Sequence, residues 1–192
     1  SYNLTILNDI IEDGNDSIIS VDILYHTKQI VVVTLYGKLF FIDFETPTTP
    51  NPSKQVDSDI KILKCLIIAD TLYYIDSNHS LKCFQLLIQD DCQMLISDNV
   101  ADFDKTLNTN ELVVLTRNDC KLQFYHISRG TLSLERTLNL PEEIISTIQE
   151  NDDDDEYIPL NVVTLYHKQY LLVFGNSPNP NNDGDDEYRG CI

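Results

Sequence analysis

"IVVVTLYGKLFFI" occupies residues 30–42. Four apolar residues, three of them Val, run into a short turn at Tyr36-Gly37, and a second apolar run follows from Leu39 to Ile42. That is the grammar of an antiparallel hairpin with a short polar turn. The phrase recurs. Leu72-Tyr73-Tyr74-Ile75 passes through Asn78-His79 to Leu81-Lys82-Cys83-Phe84, and Leu112-Val113-Val114-Leu115 passes through Asn118-Asp119 to Leu122-Gln123-Phe124-Tyr125. The second strands begin at Leu39, Leu81 and Leu122, at spacings of 42 and 41 residues. A further β-type segment precedes each hairpin, at 18–25, 60–66 and 100–104, and a more polar one follows at 93–97 and 133–138. Helical spacing is nearly absent, so the chain reads as all-β.

Four strands recurring about every 40 residues mark the blades of a β-propeller. In a propeller neighbouring blades cover both faces of each sheet, which explains inner strands that are almost continuously apolar beside a wetter outer strand. The blades are expected near 18–56, 60–97, 99–138 and 159–192, a partial propeller domain over 1–192 covering about three and a half to four blades. The repeats are degenerate: no Trp-Asp dipeptide and no Gly-His pair occurs, so the ring is expected to be irregular. The chain does not open with Met and stops at Cys191-Ile192, where a third strand would begin. A missing true N-terminus and a ring that does not close from this segment alone are therefore expected, with open blade faces inviting association.

Three stretches interrupt the pattern. Residues 46–53, "TPTTPNPS", suit an extended Pro-rich loop. Residues 141–157 form an acidic insertion: Pro141-Glu142-Glu143 suits a first helical turn, and "NDDDDE" at 151–156 must lie in solvent. Residues 175–190, "GNSPNPNNDGDDEYRG", read as a long mobile loop.

Charge is the outlier of the composition. Thirty-one acidic residues against 13 basic ones give a net charge of −18. Such a surface repels phosphate backbones, which argues against direct nucleic-acid binding. It suits a basic protein partner reached through long-range attraction, or serves solubility alone. The five cysteines, Cys65, Cys83, Cys92, Cys120 and Cys191, contain no CxxC; they read as scattered thiols of a reduced intracellular protein rather than a metal clip. No apolar run is long enough to span a bilayer and no signal peptide opens the chain, so no membrane partner is expected.

Chemistry is sparse. "LYHTKQIVVV" at 24–33 and "LYHKQYLLVF" at 165–174 echo each other and place His26 and His167 in equivalent turns. Equivalent turns on different blades need not touch, so ordinary turn histidines are a better reading than a shared site. His79 and His126 fall in a hairpin turn and late in a strand. Residues 179–184 imitate the opening of an EF-hand loop, but position twelve is Gly190 rather than a bidentate Glu. No GxSxG, P-loop or paired catalytic carboxylates occur. The expectation is a non-enzymatic module with no catalytic, cofactor or metal site.

The segments "NVADFD" (99–104), "ELVVLTRND" (111–119), "LERTLNLPEEI" (134–144) and "EYIPLNVVTLYHKQYLLVFGN" (156–176) resemble, in order and spacing, the N-terminal β-propeller of the cytoplasmic-face FG-nucleoporins. This is the family of yeast nucleoporin 159 and vertebrate nucleoporin 214. Residues 18–97 fit it more loosely. The resemblance implies an irregular propeller, seven-bladed when complete, at the cytoplasmic face of the nuclear pore complex. It implies docking of a DEAD-box RNA helicase during mRNA export, through the basic surface of the helicase's first RecA-like lobe. Other nucleoporins would be met through regions absent here. The acids placed to serve such docking are Asp152, Asp153, Asp154 and Asp155 in the insertion, and Asp183, Asp185, Asp186 and Glu187 in the later loop. Each would offer a carboxylate to Arg or Lys. The alternative is a structural WD40-like propeller packed into a multisubunit scaffold without helicase contact.

Overall fold

A computed structural model describes residues 16–43, 45, 52–56, 60–87, 92–97, 99–106, 110–128 and 131–142, and the strands at 160–165 and 170–175. Fourteen strands are found among the described residues. The first sheet holds β1 (Ile18–Leu24), β2 (Gln29–Thr34), β3 (Lys38–Asp43) and β4 (Pro52–Gln55). The second holds β5 (Ile62–Ile68), β6 (Thr71–Asp76), β7 (Leu81–Gln85) and β8 (Gln93–Ile96). The third holds β9 (Val100–Lys105), β10 (Glu111–Thr116), β11 (Lys121–Ser128) and β12 (Thr131–Asn139). A two-stranded sheet pairs β13 (Leu160–Leu165) with β14 (Tyr170–Gly175). Each four-stranded sheet is an antiparallel meander in chain order.

Two compact units divide the chain, Ser1–Asp98 and Asn99–Ile192. In the first, the two sheets pack face to face. Val31, Val33 and Leu39 of one meet Ile62, Leu72, Tyr74 and Phe84 of the other in a single apolar cluster. Val32, Phe40 and Ile42 point the opposite way and form a second cluster with Ile18 and Ile30. Side chains alternate across a strand, so a strand buried on both faces must be apolar at every position. That is why residues 30–33 read as an unbroken run. Val31, Val32 and Val33 are each fully buried, a contribution of about 1.5–3 kcal/mol per side chain. In the second unit, Val113, Leu115, Leu122, Phe124 and Leu140 build the cluster of the third sheet, and β13 lies beside β9.

Most strand bounds fall within a residue of the sequence expectation, and the larger departures are these. The fifth strand starts at Ile62 rather than residue 60. The Pro-rich stretch at 46–53 runs into β4, which opens on Pro52; proline is tolerated at the first residue of an edge strand. The outer strand β12 covers nine residues instead of the six at 133–138.

The hairpins between the second and third strands share one construction. Gly37, His79 and Cys120 all take left-handed backbone, with φ of 73°, 58° and 47°. Each stands two positions before the leucine that aligns the repeats. A buried polar side chain ends the preceding strand: Thr34, Asp76 and Thr116. Its oxygen accepts the N–H of the residue that opens or immediately precedes the next strand, Lys38 at 3.1 Å, Ser80 at 3.0 Å and Lys121 at 2.8 Å. A side-chain oxygen at this point satisfies a buried donor that the turn cannot.

Candidate docking site

Asp152, Asp153, Asp154, Asp155, Asp183, Asp185, Asp186 and Glu187 lie outside the described residues, as do His167 and the EF-hand-like stretch. Their attachment is described. β13 and β14 pair antiparallel, with Leu160 directly opposite Gly175. The acidic insertion leads into Leu160, and the acidic loop leaves from Gly175. Both runs therefore spring from the same end of one hairpin, from strands about 5 Å apart. Asp155 is five positions before Leu160 and Asp183 eight after Gly175, tethers of at most about 30 Å even when extended.

The same end of the third sheet is tightly tied. Val100 pairs with Thr116, and Lys121 with Asn139. The Asn99 carbonyl accepts Arg117 N–H at 2.9 Å, and its side-chain Oδ1 accepts Asn118 N–H at 2.8 Å. Thr116 donates its hydroxyl to Asp119, and Lys121 Nζ stands 2.8 Å from Asp119 Oδ2. Hydrogen bonding from Lys121, then from Thr116, holds the Asp119 carboxyl below its ordinary range. The hairpin charge is thus matched locally.

The Leu-Tyr-His echo is structural where it is described. Leu24 is in the core and Tyr25 is exposed. His26 Nε2 reaches Asp70 Oδ1 at 2.5 Å, linking the first turn of one sheet to the corresponding turn of the next. Among the described residues no group of three or more His, Cys, Asp or Glu could hold a metal ion, and no helix is long and apolar enough to cross a membrane. Cys65, Cys83 and Cys120 are buried and Cys92 is half-buried, and none of the four is in a disulfide. Burial pushes the Cys65 and Cys83 thiols up to about 11, which leaves them protonated packing groups.

Sequence reasoning missed the buried ion pair behind the second sheet's hairpin. Asp76 Oδ1 accepts Asn78 and Ser80 N–H at 2.9 and 3.0 Å, while Oδ2 faces Lys82 Nζ at 2.9 Å. The signal was positional: Asp76 sits six residues before Lys82, as Thr34 sits before Phe40.

Comparison with known proteins locates this frame. The sequence model of the family described as NUP159/214 beta propeller matches residues 9–191. Nucleoporin NUP159 of Saccharomyces cerevisiae is 27% identical over 154 residues, which is 80% of this chain and 10% of that protein. The crystal structure of the N-terminal domain of Nup159 superposes with a TM-score of 0.65 at 21% identity, covering 90% of this chain and 43% of that one. A chain of the S. cerevisiae complex of a Dbp5 variant bound to Nup159, a Gle1 variant, IP6 and ADP superposes at 0.61 with 24% identity, covering 94% and 48%. The Cps50 (Swd1) β-propeller domain of Myceliophteria thermophila superposes at 0.53 with 14% identity, covering 85% and 52%. The fold is that of a β-propeller, and the chain spans about half or less of the length of these relatives.

Proposed function

The chain belongs to the NUP159/214 β-propeller family, and from that premise we propose that it is a non-enzymatic docking platform at the cytoplasmic face of the nuclear pore. It receives a DEAD-box RNA helicase during mRNA export. Three observations support the reading: the family, the net charge of −18, and the binding of Dbp5 to Nup159 in a complex one chain of which has this chain's fold. What carries it to particular residues is the pairing of Leu160 with Gly175, which tethers both acidic runs at one sheet end. Asp152, Asp153, Asp154 and Asp155 form one limb; Asp183, Asp185, Asp186 and Glu187 form the other. Their carboxylates would meet Lys and Arg of the helicase's first RecA-like lobe through charge-assisted hydrogen bonds.

The test is titration of the intact propeller with the purified helicase at rising salt. Affinity should fall steeply as salt screens the contact. Neutralising either acidic run, Asp to Asn and Glu to Gln throughout, should weaken binding about tenfold or more, equivalent to about 1.4 kcal/mol. Salt-insensitive binding that neither set of changes disturbs would point instead to a structural propeller packed into a scaffold.

A further inference from the structure

The outer strands of the first two sheets are short, four residues each in β4 and β8. The outer strand of the third sheet is nine residues long. β12 stands at the edge of its sheet, with no partner beyond it among the described residues. Short edge strands are a common protection against unwanted pairing; β12 lacks it. Leu134 and Leu138 are 52% and 49% exposed on this edge. They lie on opposite faces, because a register shift between Phe124 and Tyr125 inserts Glu135 as an extra residue: Leu138 stands opposite Leu122, and Leu134 opposite Tyr125.

The ladder fixes which backbone groups face outward. Leu140 N–H bonds the Cys120 carbonyl at 3.4 Å. Bonded and non-bonded pairs alternate in an antiparallel ladder. In the register Lys121–Asn139, Leu122–Leu138, Gln123–Thr137, the N–H and C=O of Thr137 and Asn139 therefore point away from β11. They are open to an added strand.

The charges on the strand indicate what fits. Arg136 is engaged, its guanidinium stacked 3.9 Å from the Phe124 ring centre and 3.8 Å from Glu111. Glu135 stands 4.0 Å from His126 Nδ1 with its side chain half exposed, so the edge presents a carboxylate between two leucines. A second copy is a poor occupant. β12 is centred on Glu135, so in-register antiparallel self-pairing would set Glu135 against Glu135, between chains of charge −18.

We infer that β12 is a strand-addition site for an extended segment of another protein, with apolar side chains alternating with Lys or Arg. Its backbone bonds Thr137 and Asn139, its apolar residues lie on the face of Leu138, and its Lys or Arg residues supply a cation for Glu135. This site is independent of the acidic runs.

The test uses the full chain and a labelled peptide of alternating valine and lysine as long as β12, followed by fluorescence anisotropy. The expected result is saturable binding that survives moderate salt. Thr137→Pro deletes one outward N–H without touching the β11 ladder and should weaken binding about tenfold. Glu135→Lys should weaken it similarly, with an unchanged far-UV spectrum as the control for folding. Equal binding to the native chain and Thr137→Pro would mean that charge alone attracts the peptide, and would overturn the inference. So would β12-dependent self-association without peptide binding.

Discussion

Replacing Asp76 with Thr and Lys82 with Phe, singly and together, isolates the buried ion pair in the second sheet. The two charged atoms are 2.9 Å apart, with side chains 1% and 10% exposed. Removing one member of a buried pair costs about 3–5 kcal/mol, because the other charge keeps its desolvation penalty. Thr at 76 retains an oxygen for the Ser80 N–H, so Asp76→Thr is expected at the low end, about 3 kcal/mol. Lys82→Phe leaves the carboxylate with its turn bonds to Asn78 and Ser80 and should cost about 2 kcal/mol. The double variant recreates Thr34 with Phe40, a pair the first sheet already buries at the same places. It should cost about 2 kcal/mol, giving a coupling of about 3 kcal/mol. Urea unfolding of the four proteins, followed by far-UV circular dichroism, reads this directly. At a slope of about 2 kcal/mol per molar urea, Asp76→Thr loses about 1.5 M in midpoint and the double variant about 1 M. A double variant as unstable as the sum of the singles would refute the reasoning, since the hairpin positions would then not be interchangeable between sheets.

Two further outcomes follow from the same structure. Gly37→Ala places a side chain at φ 73° in a buried turn and should cost about 1 kcal/mol or more in the same urea assay, with Gly37→Asn costing less because Asn tolerates the left-handed region. Alkaline stability should fall between pH 9 and 12: burial raises Cys65 and Cys83 from 9.0 to about 11 and Tyr73 from 10.0 to about 12. The unfolded chain gives up these protons first, so stability is full below pH 9 and lost as pH rises through the folded values, by about 3 kcal/mol for each thiol; thermal melting against pH checks it, with a shallower fall in Cys65→Ala.

The inner strands are legible in the sequence because burial on two faces removes every polar position from them. Residues 30–33 split between two apolar clusters, and the leucine spacing of 42 and 41 follows from one meander repeated. The turn construction is not legible by residue type. Gly37, His79 and Cys120 share a backbone conformation and no chemistry, while Thr34, Asp76 and Thr116 resemble ordinary turn residues until their burial is known. The acidic runs are visible as charge. Their common anchorage is not, because it depends on Leu160 meeting Gly175 across a strand pair. β12 escaped full recognition because a strand with one open edge tolerates polar residues at most positions, and its bulge at Glu135 breaks the alternation that would have marked its length.

A sheet covered on both faces has its loop ends and its outer edge left for recognition. This chain fits the two differently. In the proposed docking, the acidic runs would attract a basic partner over a distance, under the control of salt. Its third-sheet edge carries leucines and outward backbone groups, where contact needs a matching strand and charge sets only which one. The net charge of −18 serves both. It would speed encounter with the basic partners proposed above, and it sets identical chains against one another where an open edge would otherwise pair. Neutralising acids should therefore do more than weaken docking: it should also raise the tendency of the protein to self-associate. Light scattering of the neutralised variants at matched concentration measures that second effect, and scattering unchanged from the native protein would confine the role of the acids to partner contact.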